Sequence, residues 1–215
     1  MNYKTHYFAI IILFFISFLG FGQTNKMDIQ VEGGPSLISV YGNFIDTKPT
    51  LNGYTGGLYI NYNINKSLSI KSGIIYERKG YKDSFNATLA NGLSAGVFEY
   101  VNNLDYLVMP LLIRANYGNN IRFFVNGGPY LGYLANQQSI ASYLPSSGKI
   151  GGVLTEKKID LGISTGIGCA VPINDLLSIS FEGRNNLALI SLVDGGKINN
   201  NSTNFIFGIT YHLKD

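Results

Sequence analysis

The 215-residue chain has no tryptophan, one cysteine and two histidines, and only 13% of its residues are charged. Each shortage removes a class of protein. A single Cys169 allows no intrachain disulfide scaffold and no thiolate zinc site. A charged fraction about half the usual quarter, together with 13% aromatic residues, does not describe a disordered chain. The formal charge of +3 comes from 16 basic and 13 acidic residues scattered along the sequence, so no phosphate-binding face and no nucleic-acid partner is expected. After residue 23 no stretch approaches 18 consecutive apolar residues, which excludes a helical inner-membrane protein.

What the sequence does have begins with a targeting segment. Lys4 supplies a positive start, Tyr7 to Leu19 is an apolar run too short to span a membrane, and Gly20-Phe21-Gly22 offers small residues for cleavage. Residues 1–22 are therefore expected to be a cleaved signal peptide, leaving 23–215 as one domain. No Cys follows the cleavage point, so no lipid anchor is expected.

Beyond it the dominant period is two. Leu107, Met109, Leu111, Ile113, Ala115 and Tyr117 share one face, with Tyr106, Val108, Pro110, Leu112, Arg114 and Asn116 on the other. Ile159, Leu161, Ile163, Thr165, Ile167, Cys169 and Val171 oppose Asp160, Gly162, Ser164, Gly166, Gly168 and Ala170. Similar alternation over 28–41, 54–64, 68–82, 121–131, 177–187 and 204–213 makes eight strands. Short turns fall at Asn65-Lys66-Ser67, Gly118-Asn119-Asn120 and Pro172-Ile173-Asn174-Asp175, while long polar loops are expected at about 42–53, 83–99, 135–156 and 190–202.

A water-soluble sandwich or lipocalin-like barrel would show the same period with its apolar face inward. Two features invert the orientation. The polar face is crowded with Gly128, Gly162, Gly166, Gly168 and Gly208, as a narrow lumen requires. Tyr62, Tyr117 and Tyr211 lie on the apolar face near the short turns, and Tyr41, Tyr54 and Tyr133 lie toward the long loops, as two interfacial girdles would. The expected fold is all-β: an eight-stranded antiparallel transmembrane β-barrel with short periplasmic turns and long extracellular loops, in the outer membrane of a Gram-negative bacterium.

Leu104 to Gly118 (LDYLVMPLLIRANYG) resembles the YL-x-x-P-L-L-x-K/R strand of the PorT-like outer-membrane β-barrel family. The strand after it, with GGPYLGYL at 127–134, and the D-x-G-x-x-x-G-x-G segment from Asp160 to Gly168 are similar to that family's following strands. VEGGPSLISVYG and Ser72 to Gly80 are similar to its first and third strands. The chain ends Tyr211-His212-Leu213-Lys214-Asp215, where such barrels commonly end on an aromatic residue. The resemblance implies a part in protein secretion across the outer membrane.

Alternation assigns Glu32, Lys71, Glu77, Arg114, Arg122, Asp160, Glu182 and Arg184 to the lumen, four acids and four bases. An eight-stranded barrel is just wide enough to be filled by side chains, so these charges must pair. Their balance favours a salt-bridged plug over a pore, which would carry an excess of one sign. No enzyme is expected: a Ser-His-Asp arrangement needs a histidine beside its nucleophile, and His212, the only one after the signal segment, lies at the short-turn end. No cofactor or metal site is expected, since Asp46, Asp83, Glu99, Glu156 and Asp194 lack the spacing of a calcium loop. The leading expectation is a non-enzymatic barrel in outer-membrane lipid whose loops 83–99 and 135–156 meet envelope proteins or extracellular ligands through Phe85, Leu89, Leu93, Val97, Phe98, Ile140, Tyr143 and Leu144. The alternatives are an accessory subunit of a secretion or transport assembly, and a narrow channel or small-ligand carrier.

Overall fold

The computed structural model describes residues 27–42, 50–88, 94–144, 149–150, 157–193 and 197–213. The expected signal peptide lies outside the described residues. Among these, the regular structure is strand throughout: β1 (Met27–Gly42), β2 (Leu51–Asn63), β3 (Leu68–Thr88), β4 (Ser94–Tyr117), β5 (Arg122–Leu144), β6 (Lys149–Ile150), β7 (Ile159–Pro172), β8 (Leu177–Ala188) and β9 (Ile198–His212). Eight of them form an antiparallel sheet that closes on itself, with β4 paired to β5 and β9 to β1. The two-residue β6 pairs with the outer end of β5, beyond the wall.

Closure has a measurable stagger. Following paired residues around the wall from Met27 leads through Tyr62, Ile70, Ile113, Gly127, Thr165, Asn185 and Thr203 to Leu37, ten residues further along β1. A stagger of ten over eight strands sets a strand tilt of about 40° and a backbone radius of about 8 Å. At that tilt the outward series from Leu107 to Tyr117 covers about 25 Å, the height of a lipid-facing band.

The two faces separate as the alternation predicts. Val31, Leu58, Ile74, Leu111, Ile113, Phe123, Ile167, Phe181 and Phe205 are all more than half exposed. The buried side chains include many tyrosines, amides, hydroxyls and charges, with Tyr59, Tyr106, Tyr130, Gln30, Asn102 and Asn200 each at most 1% exposed, alongside aliphatic residues such as Ile38, Leu104 and Leu112. Tyr117, Tyr211, Tyr54, Tyr133 and Tyr41 point outward at the two ends of the band.

Two periplasmic turns share a local device. In Ile64-Asn65-Lys66-Ser67-Leu68 the Asn65 side-chain oxygen accepts from the backbone N–H of Ser67 and Leu68 at 2.8 and 2.9 Å. In Ile173-Asn174-Asp175-Leu176-Leu177 the Asn174 oxygen accepts from Leu176 and Leu177 at 2.8 Å each. An asparagine that caps its own turn keeps the loop short and fixes the register of the strands it joins.

The opposite end departs from expectation. The segments expected as loops at 83–99 and 135–156 are strand over 83–88, 94–99, 135–144 and 149–150. β3, β4 and β5 have 21, 24 and 23 residues, about twice the 9 to 11 needed to cross a bilayer. Polar composition misled because, past the lipid, a sheet is wet on both faces and tolerates polar residues on each. Continuous pairing of β3 with β4 to Thr88/Ser94, and of β4 with β5 from Val97/Leu144, satisfies the backbone there. An extra residue, Ala135, enters β5 between Leu134 and Asn136, where the wall gives way to the projecting sheet.

Glycines make room inside. A Cβ on Gly168 would lie 2.4 Å from Phe124 Cζ and 2.2 Å from the Phe181 carbonyl oxygen, whereas a Cβ on the outward Gly183 meets nothing within 4 Å. Gly168→Ala is therefore expected to lose about 1 to 3 kcal/mol of stability, and Gly183→Ala to stay within about 0.5 kcal/mol of wild type. Urea unfolding from lipid vesicles measures both; equal effects would contradict this account of the lumen.

Candidate functional site

The lumen holds its charges in two clusters. Alternation on β1, β3, β4 and β8 brings Glu32, Lys71, Arg114, Glu182 and Arg184 together in the lower one, nearer the short turns. Lys71 Nζ donates to Glu32 Oε2 at 2.5 Å and lies 3.7 Å from Glu182 Oε2. Arg184 bridges both acids, with Nε 2.5 Å from Glu182 Oε1 and Nη2 2.8 Å from Glu32 Oε1, and it also donates to the Tyr59 hydroxyl. Arg114 Nε donates to Asn126 Oδ1 at 3.1 Å, and Asn126 Nδ2 donates to Glu182 Oε1 at 2.8 Å. Rings back the cations: Lys71 Nζ is 4.2 Å from the Tyr59 centroid and Arg114 Cζ is 3.6 Å from that of Phe124.

In the upper cluster Lys79 Nζ lies 2.8 Å from Asp160 Oδ2 and 3.5 Å from Glu77 Oε2, with the Tyr130 ring 4.3 Å away. Glu77 accepts from Asn186 Nδ2, from Ser202 Oγ at 2.6 Å and from Asn204 Nδ2 at 3.0 Å. Between the clusters is a space of ≈ 10 Å³, lined by Glu77, Tyr130, Ser164, Arg184 and Asn186, room for about one water.

Seven of the eight expected lumen residues are therefore gathered in the barrel's interior: Glu32, Lys71, Glu77, Arg114, Asp160, Glu182 and Arg184, each at most 8% exposed. Arg122 is not. Its place at the start of β5 leaves it exposed at the short-turn mouth, beyond reach of the acids deeper in the lumen. Lys79, absent from the expected set, is fully buried. The signal was present, since the alternation that turns Lys71 and Glu77 inward also turns Lys79 inward. With Lys79 in the place of Arg122, four acids still meet four bases. The lower cluster holds one more base than acid and the upper cluster the reverse.

Among the described residues, charge on the outer wall is confined to its upper edge. Arg78 Nε and Nη2 make a two-pronged contact with Asp105, at 2.7 and 3.1 Å, under the Tyr54 ring, which stacks on Tyr76 at 5.6 Å. A paired, aromatic-shielded ion pair suits the headgroup level.

At the short-turn mouth His212 lies in a polar group formed by β1, β2, β8 and β9. Its Nδ1 is 2.9 Å from Asp28 Oδ1, its Nε2 is 2.7 Å from Ser178 Oγ, and Asn63 Nδ2 donates to Asp28 Oδ2 at 2.8 Å. A histidine beside a serine and an aspartate was not expected, because Asp28, Ser178 and His212 come together only when the last strands close on the first.

A family model described as "Outer membrane protein beta-barrel domain" matches residues 19–194. None of the curated proteins compared with the chain matches it. Among solved structures, Neisserial surface protein A is similar at 12% identity, covering 87% of this chain and 97% of that one, with a TM-score of 0.46. Ail of Yersinia pestis is similar at 11% identity over 87% of this chain and 99% of its own, with a TM-score of 0.42. OprG of Pseudomonas aeruginosa is similar at 9% identity over 90% and 99%, also at 0.42.

Removing one member of a buried ion network strands its partners. Glu182→Ala leaves Arg184, Lys71 and Arg114 with Glu32 as the nearest acid, and is expected to cost about 3 to 5 kcal/mol. Lys66→Ala, on an exposed turn, is expected to change stability by less than about 0.5 kcal/mol. Unfolding midpoints in the same vesicles compare the two.

Proposed function

Since the chain belongs to the outer membrane protein β-barrel domain family, and is an outer-membrane protein of the Gram-negative type, we propose that it is a plugged barrel that works through its projecting sheet. The observation that carries this is the extra length of β3, β4 and β5, which raises a paired three-stranded sheet beyond the lipid band. A barrel that only had to cross the membrane would not need it. The register places Phe85, Phe98 and Tyr143 in one row across that sheet, and Val97 in the same region is 36% exposed. A paired sheet that has left the membrane and exposes Val97 fits a contact surface for an envelope protein or an extracellular ligand.

In this reading the lumen holds the barrel together and neither conducts nor catalyses. What supports a plug is that the two clusters pair four buried acids with four buried bases and leave a space of one water between them. The finer PorT-like assignment, and the secretion role that it implies, rests on the order of the short motifs along β1, β3, β4, β5 and β7.

The register supplies the test. Asp83 is paired with Tyr100, so replacing 84–99 by Asn-Gly leaves a two-residue hairpin and an intact wall. A photo-crosslinker at Val97 is expected to capture a partner on intact cells, and a deletion strain carrying the shortened protein is expected to behave as the deletion. Full complementation by the shortened protein would exclude the projecting sheet as the working surface. Planar-bilayer recording of the wild type is expected to show no stepwise conductance; stable steps would exclude the plug.

A further inference from the structure

The short-turn mouth holds chemistry that neither the plug nor the projecting sheet uses. Asp28, a carboxylate, can only accept, so the proton between it and His212 sits on Nδ1, and in the neutral imidazole Nε2 then accepts from the Ser178 hydroxyl. The order carboxylate, Nδ1–H, Nε2, hydroxyl is that of an activated serine. Asn63 holds the second oxygen of Asp28 at 2.8 Å and so fixes the carboxylate's orientation. Each residue sits on a different strand of the wall, which gives the set the rigidity such a site requires.

Asp28 and His212 border an open space, and Ser178 stands just behind His212. A cavity of ≈ 850 Å³ at this mouth is lined by Asp28 and His212, by apolar Ile64 and Leu213, and by Arg122. The Arg122 side chain has no hydrogen bond or ion pair with another described residue, and it faces the same space. A guanidinium there is suited to negative charge developing on a carbonyl oxygen, a task the Ser178 backbone N–H cannot perform because β8 is paired there with β9 at Thr210.

We propose that Ser178, His212, Asp28 and Arg122 form a hydrolytic site for short-chain carboxylic esters at the periplasmic mouth of the barrel. Ser178 Oγ attacks the ester carbonyl carbon while His212 Nε2 takes its proton, and the resulting oxyanion faces Arg122. Collapse breaks the bond to the leaving alcohol, which takes the proton from His212. Water then attacks the acyl-serine by the same route, releasing the carboxylic acid and restoring the hydroxyl. Ser178 is only 7% exposed, so the acyl group assigned to this site is a small one, of acetyl size. The amides of Asn65, Asn116 and Asn119 around the cavity suit a hydroxyl-rich leaving alcohol. This site is independent of the reading of the plug and sheet, and either can fail alone.

The test uses full-length protein folded in detergent and checked by its heat-modifiable gel migration. Folded wild type is expected to form a covalent adduct with a small fluorophosphonate on the peptide that contains Ser178, and to hydrolyse p-nitrophenyl acetate above the detergent background. Ser178→Ala and His212→Gln are expected to lose both signals while still folding, and Arg122→Ala to slow labelling by about 10²-fold. Wild-type labelling needs no variant, so a folding defect in one cannot mask the answer. A folded wild type that takes no label, or a label that Ser178→Ala retains, would overturn the site and leave these residues as a polar latch between the first and last strands.

Discussion

Inside hydrocarbon a backbone N–H or C=O without a partner costs several kcal/mol, and a sheet with free edges would leave two rows of them. Pairing β9 with β1 removes both edges. Much else follows from that closure. Eight strands and a stagger of ten residues set a radius of about 8 Å, and a cylinder of that radius has room for one layer of side chains from each strand and little more. The alternation that turns leucine, isoleucine and phenylalanine toward lipid turns every other residue into that narrow space, so inward positions divide between residues that fill it and glycines that yield to them. Gly168 stands against Phe124, and Gly162 against Tyr130.

The same geometry explains why charge is tolerated at the centre. A buried acid or base alone would destabilise the barrel heavily, but strands on opposite sides of so narrow a lumen bring their side chains within hydrogen-bond reach. Glu32 on β1, Lys71 on β3 and Arg184 on β8 meet although they are separated by more than a hundred residues of chain between the first and last. The Lys71–Glu32 and Arg184–Glu32 contacts tie strands that are not neighbours in the wall, so the network resists slippage of register as well as collapse of the lumen. The outer rim is governed by another solvent. Above the tyrosines of Tyr54 and Tyr76 the wall loses its apolar face, and β3, β4 and β5 continue as a sheet in water.

The extent to which this was legible from the residues differed by level. Period two, the placement of tyrosines and the asparagine turns were enough for the eight strands of the wall and for which face meets lipid. Seven of the lumen residues followed from counting alternate positions. Arg122 was misplaced because alternation states which side of a strand a residue takes and not how far along the barrel it lies. The projecting sheet was read as loop because polar, non-alternating residues look alike whether they pair with a neighbouring strand or not.

By itself the sequence determined the barrel class, the sidedness of each strand and the stock of lumen charges, since these depend only on local period and on the solvent each face must meet. Tertiary structure alone decided the partners. Which acid meets which base, and that Asp28, Ser178 and His212 share one mouth, depend on the stagger at closure. A stagger is a property of the whole ring of strands, and no single segment of the chain encodes it.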